Sequence, residues 1–268
     1  MGEAPRLVAT DLDGTLLHSD GTVTDRTRRV LEELDARGVP VVFTTGRPIR
    51  WMESLWDDVG GHGLAICSNG GIVYDVSARR VRDFRAVPRE VGLSIAEQVR
   101  EAVPGTRFAI EHTSGWASEV DFPSHPDDRS ERFRGDYADI FRDDVVKILA
   151  VHRDLDAEEF WGQVEATVGD QVVTTWSSSS ALVEISAAGV TKATRLAALA
   201  EEMGVGATDV LAFGDMPNDL PMLEWAGTSY AMANAHPSVL DLADHVAPAN
   251  DEDGVAAVLG ELFGLDAR

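Results

Sequence analysis

The chain reads as an α/β protein whose parallel-sheet core is interrupted by an inserted α+β domain. Two observations predict this. Short apolar runs alternate with amphipathic helical stretches toward both ends of the 268 residues. Between them the order changes to a helix followed by a pair of strands, twice over, which favours an antiparallel sheet.

In chain order, "RLVAT" is a short apolar run of the kind that forms a buried strand. Thr24 caps a helix through "DRTRRVLEELDAR", with Val30, Leu31 and Leu34 on one face and Gly38 closing it. "VPVVFTT" gives a second strand, a helix follows Pro48 through Trp56, and "LAICSNGG" gives a third strand. From Phe84 to Ile185 the helices "PREVGLSIAEQVREAV" and "DLDAEEFWGQVEATV" are each followed by two strands. These are "RFAIEHT" with "WASEV", then "QVVTTW" with "ALVEIS". The polar stretch 121–144 reads as loop with one short helix, and Ser177–Ser180 as a hairpin turn. Alternation then resumes. Thr191 caps "VTKATRLAALAEEMG", "DVLAFGD" is a strand running into a turn, "DLPMLEWA" a helix, "TSYAMANA" a strand and "GVAAVLGELF" the last helix.

Composition narrows the function. With 46 acidic against 23 basic residues the net charge is -23, which argues against a nucleic-acid surface or an anionic membrane. A phosphate-bearing substrate would have to be attracted by a bound cation and a few placed bases. The single Cys67 excludes an intramolecular disulfide and fits a reducing cytosol. No run is apolar and long enough for a signal peptide or a membrane span, and Met1-Gly2 lacks the rest of a myristoylation signal. The expectation is a cytoplasmic protein with no membrane or nucleic-acid partner; oligomeric state is not legible.

In an open parallel sheet, active groups gather outside the carboxyl ends of the strands. The strand reading places four polar sets there: Asp11 with Asp13, Thr45 with Gly46, Lys192 at a helix start, and "GDMPND" with Asp215, Asn218 and Asp219. Carboxylates converging on one point need a divalent cation, and oxygen ligands favour a hard one such as Mg²⁺. Each set alone has a plain reading, as a solvated acid pair, a strand end, a surface lysine or a turn. Lys192, however, sits where the helix dipole disfavours a cation, in a chain whose only other lysine is Lys147. A calcium loop starting at Asp11 fails, because Leu16 and Thr22 stand where Gly and Glu are required. His112, His152, His236 and His245 show no zinc spacing, Cys67 reads as a buried small residue, and Trp116 and Trp161 as core of the inserted domain.

The segments "DLDGTL", "TTGR", the Lys192 stretch and "GDMPND" resemble, in order, the four motifs of the haloacid dehalogenase superfamily. "SNGG", "MANA" and "NDEDGV" resemble its Cof-type branch, which carries a type IIB cap. The resemblance implies a Rossmann-like catalytic core of residues 1–83 and 186–268, with residues 84–185 as the α+β cap. It implies a Mg²⁺-dependent phosphatase acting on a small phosphorylated metabolite, such as a sugar phosphate, through an aspartyl-phosphate. Asp11 would be the nucleophile and Asp13 the general acid and base. The Leu12 amide, Thr45, Gly46, Lys192 and Asn218 would cradle the phosphoryl oxygens, with Arg47 as a further substrate contact. The Asp11 side chain, the Asp13 carbonyl and Asp215 would hold the metal, with Asp219 orienting from behind. A phosphomutase of the same superfamily and a catalytically silent binding protein are the alternatives. Asp13 argues against a dehalogenase, and no lysine of the cap stands out as a Schiff-base former.

Overall fold

The computed structural model describes residues 4–59, 61, 63–123, 132–176 and 181–265. Strand β1 (Leu7–Asp11) is buried at all five positions, so both of its faces are covered and its sequence need not alternate. Thr24 accepts a hydrogen bond from the Thr27 amide and starts α1 (Asp25–Ala36), whose buried face is Thr27, Val30, Leu31 and Leu34. β2 (Val41–Thr44) and β3 (Leu64–Cys67) extend the sheet in parallel. β4 (Ile72–Asp75) and β5 (Arg80–Phe84) turn back antiparallel at its edge.

The chain then builds a second sheet. Helix α2 (Arg89–Ala102) leads into β6 (Arg107–His112), β7 (Gly115–Ser118), β8 (Arg132–Arg134), the short α3 (Tyr137–Ile140) and β9 (Val145–Val151). Helix α4 (Ala157–Val168) leads into β10 (Val173–Thr175) and β11 (Leu182–Ser186). The six strands lie in the order β10-β11-β9-β6-β7-β8. One face packs Phe108, Ile110, Ile148, Ala150, Val183 and Ile185 with residues of α2 and α4. Strand alternation sends Glu111, Lys147 and Glu184 to the other face.

The first sheet resumes with α5 (Lys192–Glu202), β12 (Val210–Gly214), α6 (Leu220–Trp225), β13 (Thr228–Met232), α7 (Pro237–Leu242), β14 (His245–Ala247) and α8 (Gly254–Phe263). Its order is β14-β13-β12-β1-β2-β3-β4-β5, and its core is the larger of the two. No helix among the described residues is long and apolar enough to cross a membrane.

The α/β class holds, with three local corrections. After Pro48 the chain makes one helical turn, Ile49–Trp51, and not a helix through Trp56. Here tertiary packing overrides propensity: Met52 and Trp56 are fully buried, and the Trp56 ring stacks on Tyr74 at 5.4 Å. The antiparallel β4 and β5 are additions to the sequence reading: β4 is the buried "IVYD" directly after "SNGG", and half-exposed "RVRDF" of β5 offers no apolar face to read. The central β9 was also missed, since Lys147 interrupts the apolar pattern of "VVKILAV". The turn expected at Ser177–Ser180 lies outside the described residues. Phe84 pairs with Ile72 in the first sheet, and Ser186 with Val173 in the second.

Candidate active site

The first sheet reverses its order at β1: the chain runs outward through β2 and β3, then returns on the opposite side through β12, β13 and β14. A crevice opens outside the strand ends at such a switch point. All four polar sets converge on it.

Asp11 ends β1 and is 5% exposed. Its Oδ1 accepts a hydrogen bond from Lys192 Nζ at 2.5 Å. Lys192 is the first residue of α5, where Thr191 and Thr194 cap the helix reciprocally, and its Nζ also donates to Asp219 Oδ1 at 2.7 Å. Burial disfavours the ammonium, but the charges of Asp11 and Asp219 outweigh it and hold the Lys192 pKa above its usual value. Two carboxylates therefore defeat the unfavourable helix dipole. For Asp11, burial pushes the carboxyl well above the ordinary range; Lys192 opposes this, while Asp219, Asp215 and Asp13 reinforce it.

Asp215 lies just beyond β12. Burial first, then the Asp219 charge, push its carboxyl up to about 7, although Thr15 Oγ1 donates to Oδ1 at 3.0 Å. Asp219 is fully committed: Oδ1 accepts from Lys192 and Oδ2 from the amides of Asp215 and Met216. The loop after β1 approaches this group closely through Gly14, whose φ of +73° suits glycine, and any Cβ there would collide with the Asp215 carboxylate. Asp13 points to the mouth of the crevice with its side chain 55% exposed, and Arg47 forks onto it at 2.8 and 2.5 Å.

Thr45 is fully buried, and its Oγ1 accepts from the Arg47 amide at 2.9 Å, which leaves the hydroxyl hydrogen to donate elsewhere. Asn218 gives one amide hydrogen to Asn69 Oδ1 at 3.2 Å and keeps the second. Leu12 buries its side chain and contributes only backbone to the crevice. Together these groups supply a carboxylate, a buried ammonium and hydroxyl and amide donors around one space, suited to a tetrahedral oxyanion.

Oxygen atoms of Asp11, Asp215 and Asp219 lie within 4.8 Å of one another. Because Asp219 is spent on Lys192 and two amides, Asp11 and Asp215 are the pair able to ligate directly. An all-carboxylate donor set fits a hard divalent cation such as Mg²⁺.

Sequence reasoning, which pointed to Glu111 and His112 of the second sheet, missed Lys147 and Glu184. Lys147 is buried and donates to the Gly46 carbonyl at 2.7 Å and to Glu184 Oε1 at 2.5 Å. Glu184 Oε2 accepts from Asn69 Nδ2 at 2.9 Å. Glu111 forms a buried ion pair with Arg50. The signal was present, since a lysine in "VVKILAV" and an acid in "ALVEIS" are charges inside apolar strands. Trp116 is buried core as expected, and burial pushes the Cys67 thiol up to about 12, so it is inert.

Residues 8–259 match the family profile of the haloacid dehalogenase-like hydrolases. The chain is 30% identical over 279 residues to the 5-amino-6-(5-phospho-D-ribitylamino)uracil phosphatase YitU of Bacillus subtilis, covering 99% of this chain and 100% of that protein. It is 32% identical over 257 residues to the phosphoglycolate phosphatase of Methanopyrus kandleri, covering 96% and 97%. Among solved structures, a haloacid dehalogenase-like hydrolase from Bacteroides thetaiotaomicron superposes with a TM-score of 0.79 at 25% identity, covering 97% of this chain and 100% of that one.

Proposed function

Since this chain belongs to the haloacid dehalogenase-like hydrolases, in their Cof-type branch, we propose that it is a Mg²⁺-dependent phosphatase of small phosphorylated metabolites, with sugar phosphates as the substrate class. The observation that carries the reading is the position of Asp11: a buried carboxylate at the switch point, 2.5 Å from Lys192 Nζ and grouped with Asp215 and Asp219.

An Asp11 carboxylate oxygen attacks phosphorus, the new O–P bond forms opposite the leaving oxygen, and an aspartyl-phosphate results. Asp13 gives its proton to the departing alcohol, then takes one from the water that attacks phosphorus and frees Asp11. Arg47 must release Asp13 for this exchange, and it is then placed to meet the substrate at the crevice mouth. The Thr45 hydroxyl, the Leu12 and Gly46 amides, Lys192 and the second amide hydrogen of Asn218 hold the phosphoryl oxygens as charge develops. Bound Mg²⁺, held by Asp11, Asp215 and the Asp13 carbonyl, would supply charge neutralisation between nucleophile and phosphate. Asp219 orients Lys192 and the 215–216 backbone.

We read the expected division, core 1–83 and 186–268 and cap 84–185, with each boundary moved by one residue because Phe84 pairs in the first sheet and Ser186 in the second, and the cap as the part that selects the leaving group. The two curated relatives support that division of labour: their named substrates share a phosphate and differ in what carries it. Phosphate release from p-nitrophenyl phosphate and a panel of phosphorylated metabolites, with and without Mg²⁺, tests the reading. Mg²⁺-dependent release is the expected result; no release from any of them would overturn it.

A further inference from the structure

Lys147 and Glu184 have no part in the chemistry above, yet both are buried and both reach from the second sheet to the phosphate-facing loops of the first. Removing an ammonium and a carboxylate from water is costly, and an ion pair used only for packing is replaceable by apolar groups. Their partners show what else this pair does.

The Gly46 carbonyl that accepts from Lys147 belongs to the peptide whose N–H is that of Arg47. In a planar trans peptide the C=O and N–H point in opposite directions, so fixing one fixes the other. That N–H donates to Thr45 Oγ1 at 2.9 Å, and so decides which way the Thr45 hydroxyl can donate. Lys147 thus reaches the hydroxyl through one rigid peptide. Glu184 acts on the neighbouring loop. It holds Asn69 Nδ2, Asn69 Oδ1 accepts from Asn218, and the Asn69 amide returns to the Thr45 carbonyl at 3.0 Å. A Cβ on Gly46 would meet Asn69 Oδ1 at 3.3 Å and Glu184 Oε2 at 3.4 Å, so the ion pair closes tightly around this residue.

We propose that Lys147 and Glu184 are positioning residues for phosphoryl transfer, a buried ion pair that orients Thr45 and Asn218 only when the two sheets are in contact. The proposal rests on the phosphatase reading. It separates two tasks of the second sheet, since positioning acts on every substrate alike while selection acts on the leaving group.

The test is the double variant Lys147→Met/Glu184→Gln, in which both charges go together and Gln can still accept from Asn69. The singles serve as comparison, because each leaves one buried charge unpaired. With p-nitrophenyl phosphate and Mg²⁺, the double variant should lose about 10- to 100-fold in kcat with little change in KM, the scale of a misplaced catalytic group. Its melting temperature should stay near wild type, and its order of preference among sugar phosphates should not change. Wild-type kcat in a double variant of near wild-type stability would overturn the proposal. So would a loss confined to particular leaving groups, or a loss explained by unfolding at the assay temperature. A wild-type protein inert toward every phosphomonoester would remove the phosphatase reading itself, a result distinct from an active double variant.

Discussion

Two clusters of buried charge, one in the crevice and one along the contact between the two sheets, differ in their balance. Around Asp11 three carboxylates, Asp11, Asp215 and Asp219, stand with one ammonium, that of Lys192, which is bonded to Asp11 and Asp219. Along the contact between the sheets, Glu111 and Glu184 meet Arg50 and Lys147, two acids against two bases. Among the described residues the second cluster is balanced and already paired. The first is deficient in positive charge, and a phosphate ester adds more negative charge to it. A buried excess of one sign shifts protons or recruits an ion. That difference is what the proposal needs: ion binding and chemistry at the first cluster, geometry at the second.

The largest effect should come from breaking the first cluster at Asp11, the proposed nucleophile. Asp11→Asn should fold and lose about 10⁴-fold or more in kcat, the scale seen when a nucleophile is removed; steady-state assays with Mg²⁺ check this. Next, Asp13→Asn should slow hydrolysis of an alkyl phosphate by about 10²- to 10⁴-fold with KM little changed. An aryl phosphate with a good leaving group should suffer less, so the ratio between the two substrates reports whether Asp13 is the acid.

A milder perturbation is pH. The Asp215 carboxyl titrates at about 7 in the folded chain against an ordinary 3.8. Between these values the folded state binds the proton more tightly than the unfolded one, so stability is present below the lower value and is lost as pH rises through the upper. Asp11, also raised, adds to the same slope. Melting temperatures of EDTA-treated protein should fall from about pH 4 to about pH 7. The gain in melting temperature from added Mg²⁺ should grow over the same window, because the ion competes with the proton. Asp215→Asn should flatten both trends. The smallest effect belongs to an ion pair in neither cluster. Arg82 and Glu202, both about half exposed, form a surface bridge, and Arg82→Ala should change stability by less than about 1 kcal/mol in denaturant titrations.

The grouping around Asp11 was legible in the sequence because its residues sit at strand ends and helix starts, where polar groups after apolar runs stand out. Asp11 after "RLVAT" and Lys192 after Thr191 are visible in this way. The ion pairs along the contact between the sheets were not legible, because they depend on pairing between distant strands. Glu111 and Lys147 are register partners across β6 and β9, separated by a stretch that reads as loop. Arg50 meets Glu111 from the turn that was expected to be a longer helix. Asn69 stood inside "SNGG", but only the fold shows that its side chain joins Glu184 to Asn218.

The burial of both lysines has a practical consequence. The chain carries two lysines and 21 arginines' worth of remaining basic charge, by subtraction from 23 basic residues, and both ammonium groups are enclosed. Amine-selective acylating reagents and crosslinkers therefore meet no exposed lysine on the folded protein. Lys147 becomes reactive only when its sheet parts from the Gly46 loop, and Lys192 only when the crevice is breached. The rate at which a small acylating reagent marks each, read by peptide mass spectrometry, is a built-in clock for the two kinds of opening.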